Sequence, residues 1–249
     1  MTVAFATALH DPEALLARHF IAAAPDLAST FSGMAVSLTD ATHPEVEQVM
    51  TEALGALVTR HATGEQYIGR GRRAAVAMAL DTGADHILYA DPDHMLFWLR
   101  DNRDELRRLL NAQLDAAFLI VGRSARAFAA VPVRLQQTEQ PINRAYALAT
   151  GRHADLLAAV RRLNRPAAQD IVARAQVDSY ANDVEWPLLA ERLGHTVGYA
   201  EADGLQYRTI EQFAADADGY DDDPLQWLRR IEMAAEQARV MRRCLGSQD

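Results

Sequence analysis

The chain has 249 residues, 49% of them hydrophobic, enough to bury a full core, so one α/β domain with a small appendage is expected and disorder is not. Its 34 acidic residues outweigh 25 basic ones, and the resulting charge of -9 argues against non-specific nucleic-acid binding and against an anionic membrane surface. All 25 basic residues are arginine, which excludes Schiff-base catalysis, a lysine-bearing P-loop and a kinase lysine, and leaves arginine, backbone amides or metal to hold any phosphate.

The N-terminus has no basic start, and no run approaches the length of a membrane span. Residues 3–8 (VAFATA) read as a first strand, stopped by His10-Asp11-Pro12. Asp11 can cap, and Pro12 can open, a helix carrying Leu15, Leu16, His19 and Phe20. Residues 33–38 form a second strand ending in Thr39-Asp40-Ala41-Thr42. Pro44 then starts a helix whose apolar positions run from Val46 through Leu57 and Val58 at spacings of three and four. Residues 68–73 read as a compact loop ahead of a helix over 74–79. Two glycines with Arg70, Arg72 and Arg73 at a helix start can receive a phosphate; a solvated basic turn has the same composition.

Residues 87–90 (ILYA) fit a buried parallel strand that ends in Asp91-Pro92-Asp93-His94. Ligands of open α/β sheets bind at that edge, and two carboxylates one residue apart suit a hard divalent cation with a phosphate on its far side. A plain strand-to-helix turn competes with that reading. Behind the turn lies an apolar segment, 95–99, then a helix near 101–112 with Asn102 and Glu105 as a capping pair. Residues 116–121 are another strand, and Gly122-Arg123-Ser124-Ala125-Arg126 lacks the last glycine of a nucleophile elbow.

The polar stretch 136–143 reads as a loop, followed by helical patterns over 154–163 and 166–177. Pro187 starts the regular part of a helix over 188–193 that Gly194 closes, which puts Asp183 and Glu185 at or just before its N-terminus, where capping and dipole compensation also account for them. A strand over 196–200, an extended piece over 205–209 and an exposed acidic loop over 216–223 follow. Residues 225–245 form an amphipathic helix with Leu228, Ile231, Ala235, Ala238, Met241 or Arg242, and Leu245 near one face; it docks on its own domain or offers a homo-oligomer contact. Cys244 is the sole cysteine, so no disulfide framework or thiolate zinc site is expected, and a reducing cytoplasm is the simplest setting.

The first strand, the Gly69-Arg70-Gly71-Arg72-Arg73 helix start, the strand ending in Asp91-x-Asp93 and the stretch from Asn182 to Tyr199 resemble, in order and spacing, the glycosyltransferase-A fold of family 2-like nucleotide-diphospho-sugar transferases. The resemblance implies a Rossmann-like mixed α/β sheet flanked by helices over 1–212, with a nucleotide-binding half (1–122) and an acceptor half (123–212), and 213–249 as acidic loop and C-terminal helix. It implies sugar transfer from a nucleoside diphosphate donor to a hydroxyl acceptor, with Mn2+ or Mg2+ at Asp93 and Asp91. Arg70, Arg72 or Arg73 would share the diphosphate charge; Thr7, Ala8 and Asp40 would line the nucleoside pocket; Asp183 or Glu185 would be the base. Where the family places a late histidine ligand, this chain reads Gly204-Leu205-Gln206-Tyr207-Arg208-Thr209, with His94 and His195 as substitutes. A sugar-nucleotide pyrophosphorylase is disfavoured by the absence of glycine over 3–15 and of lysine; a non-catalytic binder of the same fold is the other alternative.

Overall fold

In the computed structural model, which describes residues 1–207 and 219–246, seven strands form one sheet: β1 (Val3–Leu9), β2 (Gly33–Thr39), β3 (Leu57–His61), β4 (His86–Tyr89), β5 (Phe118–Arg123), β6 (Val160–Asn164) and β7 (Val197–Ala202). Their order is β3-β2-β1-β4-β6-β5-β7. The first four in that order are mutually parallel, β6 runs antiparallel to both β4 and β5, and β7 is parallel to β5. Strand β1 is buried along its whole length, as a central strand covered on both faces must be.

The flanking helices are α1 (Ala17–Thr30), α2 (Pro44–Gln48), α3 (Ile68–Asp81), α4 (Pro92–Asp101), α5 (Arg103–Leu110), α6 (Ala125–Ala129), α7 (Val133–Thr150), α8 (Arg165–Arg174), α9 (Asn182–Arg192) and α10 (Pro224–Gly246). Because side chains alternate along a strand, Val3, Phe5 and Leu9 join Met34, Val36 and Leu38 in one core under α1 and α4, while Ala4, Ala6 and Ala35 join Ile87 and Tyr89 in the other, under α3, α8 and α9. Alanines on the second face let α3 approach the sheet closely.

Several elements differ from the sequence reading. Helix α1 starts at Ala17, not Pro12; the Asp11 carboxylate instead accepts from the amides of Leu15 and Leu16, at 2.9 and 2.8 Å. The second helix passes into a π-helical turn (Val49–Ala53) and stops at Gly55 (φ 61°), and Leu57 and Val58 begin edge strand β3. Residues 68–73 are the first turns of α3 rather than a loop, and residues 92–101, left without an element, are helix α4. Asn102 makes no side-chain cap, since Glu105 accepts from Trp98 Nε1 and from the amides of Asp203 and Gly204.

The expected loop over 136–143 lies inside α7, where Leu135, Thr138, Glu139 and Ile142 are buried at helical spacing while Gln137 and Gln140 face out. The expected helix over 154–163 does not form: 154–159 belong to no helix or strand and 160–163 lie in β6, where Arg161 and Arg162 point to opposite faces and Arg162 is buried because it donates to Leu110 O and Gln113 O, at and just after the end of α5. Pro187 lies within α9 rather than starting it. The extended piece over 205–209 and the acidic run over 216–223 lie in part outside the described residues, as does the boundary at 212. Helix α10 forms as read, but of its expected stripe Met241 is buried, together with Gln237 and Val240, whereas Leu228 and Ile231 are exposed. It packs on α7 and α9 as part of the same body. No helix among the described residues is long and apolar enough to cross a membrane.

Candidate active site

The site forms where the sheet changes direction. β1 and β4 are parallel neighbours, and the next strand, β6, is antiparallel, so the chain leaving β4 opens onto a crevice at the carboxyl edge. Pro92 starts α4 immediately, which leaves Asp91 just outside the helix with no amide to cap and puts Asp93 in its first turn. Asp91 Oδ1 accepts from the Tyr89 hydroxyl at 2.7 Å and Oδ2 from Arg72 Nη2 at 3.0 Å. Asp93 is half-buried, and among the described residues no arginine pairs with it. Burial raises its pKa, partly offset by His94, so the ionised carboxylate wants a cation.

Arg72 is 2% exposed and comes from the second turn of α3. Its Nη1 reaches Asp183 Oδ1 at 2.9 Å and Asn182 Oδ1 at 3.0 Å, both at the start of α9, and its guanidinium lies 5.5 Å from the Tyr89 ring and 5.6 Å from that of Tyr180. Burial would depress this arginine, but Asp183 and Asp91 more than reverse that and hold it protonated. Asp183 is itself raised, first by its own burial, with Arg72 and Arg161 opposing.

Asp91, Asp93 and Asp183 open together onto a cavity of about 350 Å³. Its far wall carries four arginines that the sequence reading did not single out. Arg123, at the end of β5, donates from Nε to Asp155 at 2.7 Å and from Nη2 to Glu139 at 2.5 Å. Arg134 in α7 donates to Asp221 at 2.8 Å and to the Tyr207 hydroxyl at 3.1 Å. Arg229 and Arg230 come from α10 and meet Glu65 and Glu139 respectively, the latter at 3.7 Å. The only sequence signals for this wall were an arginine directly after a buried strand and an arginine pair on a helix read as peripheral.

The other expected residues separate. Glu185 is turned away from the cavity: it accepts from the amides of Gln176 and Val177, at 2.8 and 3.1 Å, and borders a different cavity with Arg174 and Arg192. Arg73 is tied to Val177 O and Asp178. Arg70 is exposed at the start of α3. The amides expected to cradle phosphate there are already used, since Gly69 N and Arg70 N donate to Asp178 O. The glycines serve close packing instead: a Cβ on Gly69 would lie 2.6 Å from Ser179 O, and one on Gly71 2.5 Å from the His61 ring. Thr7 is buried in β1 with its Oγ1 unpartnered, Ala8 is buried beside it, and Asp40 is exposed beyond β2. His195 pairs with Asp170 at 2.8 Å, whereas His94 borders the main cavity with a buried, unpartnered Nδ1.

Comparison with solved structures returns the glucosyl-3-phosphoglycerate synthase of Mycobacterium tuberculosis, with a TM-score of 0.64 and 14% identity over 100% of this chain and 82% of the other. The chain has the glycosyltransferase-A fold. The same synthase in complex with Mn2+, UDP-glucose and phosphoglyceric acid matches with a TM-score of 0.62 at 13% identity, covering 100% and 81%; in complex with Mg2+ and UDP it matches with 0.56 at 12%, covering 100% and 80%. Neither the protein-family models nor the curated proteins yield a match.

A divalent cation fits the donor set at the crevice, because Asp93 offers hard oxygen atoms without a competing guanidinium. Among the described residues no three His, Cys, Asp or Glu side chains converge to hold a metal, so a ligand would have to complete the shell.

Proposed function

We propose that this protein transfers a sugar from a nucleoside diphosphate donor, with a uridine nucleotide as first candidate, to the hydroxyl of a small anionic acceptor. The observation that carries the reading is the meeting of Asp91 and Asp93, at the carboxyl end of β4, with Asp183, from α9, around one cavity. Asp93, with Asp91 behind it, would hold Mn2+ or Mg2+, which when bound supplies positive charge to the leaving diphosphate.

Asp183 is the group of choice to take the acceptor hydroxyl's proton. Its burial makes it a stronger base than a solvated aspartate, and Arg72 and Arg161 keep it ionised. Glu185 faces another cavity, so it is not part of this proposal. Arg70, exposed at the start of α3, is the arginine best able to approach the diphosphate; Asp40, with Thr7 and Ala8, remains the proposed nucleoside side of the site. The wall of Arg123, Arg134, Arg229 and Arg230 supports an acceptor bearing carboxylate or phosphate, the class to which the phosphoglyceric acid of the structural neighbour belongs.

The test is calorimetric titration of UDP, GDP and ADP and their glucose or mannose conjugates, with and without Mn2+, into the wild type and Asp93→Ala. Binding of one nucleotide that needs Mn2+ and disappears in a folded Asp93→Ala is expected. Equal binding by both proteins would remove the metal from the proposal.

A further inference from the structure

The helix-start arginines were expected to meet the donor's phosphates, yet Arg72 points inward. Its guanidinium is buried, it reaches two of the carboxylates that border the cavity, and the rings of Tyr89 and Tyr180 lie 5.5 and 5.6 Å from it. Asp91 is satisfied on both oxygens, by Tyr89 and Arg72, whereas no arginine among the described residues pairs with Asp93. A guanidinium so placed does for Asp91 and Asp183 what a bound cation would otherwise do.

We propose that Arg72 is a positioning residue that acts as a built-in counter-cation: it holds Asp91 and Asp183 in fixed orientations and keeps the affinity of the nucleotide-free site for divalent cations low. The inference rests on the metal-dependent reading above and deepens it. With Asp91 committed to Arg72, Asp93 alone faces an incoming cation, and the positive charge beside Asp91 opposes that cation's approach. The diphosphate then brings the missing oxygen ligands and negative charge, so metal and nucleotide are taken up together. Asp183 meanwhile stays aimed at the cavity whether or not metal is present.

The test is titration of Mn2+ alone, followed by the electron paramagnetic resonance signal of the free ion, into wild type, Arg72→Met and Arg72→Lys. A parallel titration of wild type in the presence of UDP tests the metal-dependent reading separately. Wild type should bind Mn2+ weakly without UDP, Arg72→Met at least about tenfold more tightly, and Arg72→Lys within about threefold of wild type, because the ammonium keeps the charge. Removing a buried cation strands its partner carboxylates, so the double variant Arg72→Met/Asp183→Asn, which deletes one charge of each sign, repeats the measurement if the single variant fails to fold. Unchanged or weaker Mn2+ binding by the folded neutral variant overturns the proposal. So does a lysine variant that tightens binding as much as methionine does. If wild type binds Mn2+ with UDP while the neutral variant shows no gain, the inference fails and the metal-dependent reading stands.

Discussion

Asp155 and Arg123 show how single side chains set both stability and site shape. Asp155 is 7% exposed; burial alone would raise it, but Arg123 outweighs burial and holds the carboxyl below the usual aspartate range. A depressed folded-state pKa means that the pair's stabilisation is fully present above the unfolded value of about 3.9 and is lost as pH falls through the lower folded value. Asp155→Asn should therefore flatten that part of the acid limb in a series of melting curves, and at neutral pH it should cost about 1–3 kcal/mol, because Arg123 keeps Glu139 but loses one of its two carboxylate partners. Little of this was legible in the sequence. Arg123 follows an apolar strand and Asp155 lies in a stretch whose apolar residues fall at helical spacing, and nothing in either pattern announces that they meet.

At the scale of elements, α3 begins six residues earlier than the sequence spacing placed it, and the amides of its first turn are not free to cradle a phosphate. The Gly69-Arg70-Gly71-Arg72-Arg73 run sits at a helix start, as expected, but Gly69 lies against the 177–179 backbone and the first amides are bonded to Asp178 O. Gly69→Ala should cost roughly 1–3 kcal/mol in urea unfolding, because the obstructing atoms are backbone carbonyls and cannot swing aside. A cost below about 0.5 kcal/mol would mean that the 177–179 segment yields easily. Strands β1, β2 and β4 were legible because buried parallel strands are short apolar runs with polar ends. Edge strand β3 and arginine-bearing β6 were not: one continues a helical spacing and the other hides two buried cations, Arg161 held by the carbonyls of Val160 and Leu156 and Arg162 by backbone carbonyls about fifty residues away.

Across the whole molecule, the acidic crevice and the arginine wall are assembled from segments far apart in the sequence, with Arg123 and Arg134 lying between Asp93 and Asp183 along the chain and Arg229 and Arg230 beyond them. Helix α10, set apart in the sequence as an appendage, supplies Arg229 and Arg230 to the same cavity that Asp91, Asp93 and Asp183 border, and of its expected apolar stripe Met241 is buried while Leu228 and Ile231 are not. Arg229→Ala and Arg230→Ala should each raise the KM for an anionic acceptor by about tenfold while leaving nucleotide binding within about twofold. Equal losses for a neutral acceptor would assign these arginines to the fold instead. The most direct test of the central claim is to incubate the protein with Mn2+, UDP-glucose and phosphoglycerate, and to follow UDP release and glycosylated acceptor by nuclear magnetic resonance. The account predicts UDP and product in equal amounts, abolished by Asp93→Ala and strongly slowed by Asp183→Asn. Metal-dependent binding of nucleotide sugars without consumption of the donor, across a panel of donors and carboxylate and phosphate acceptors, would contradict it and leave a nucleotide-binding protein without transfer activity.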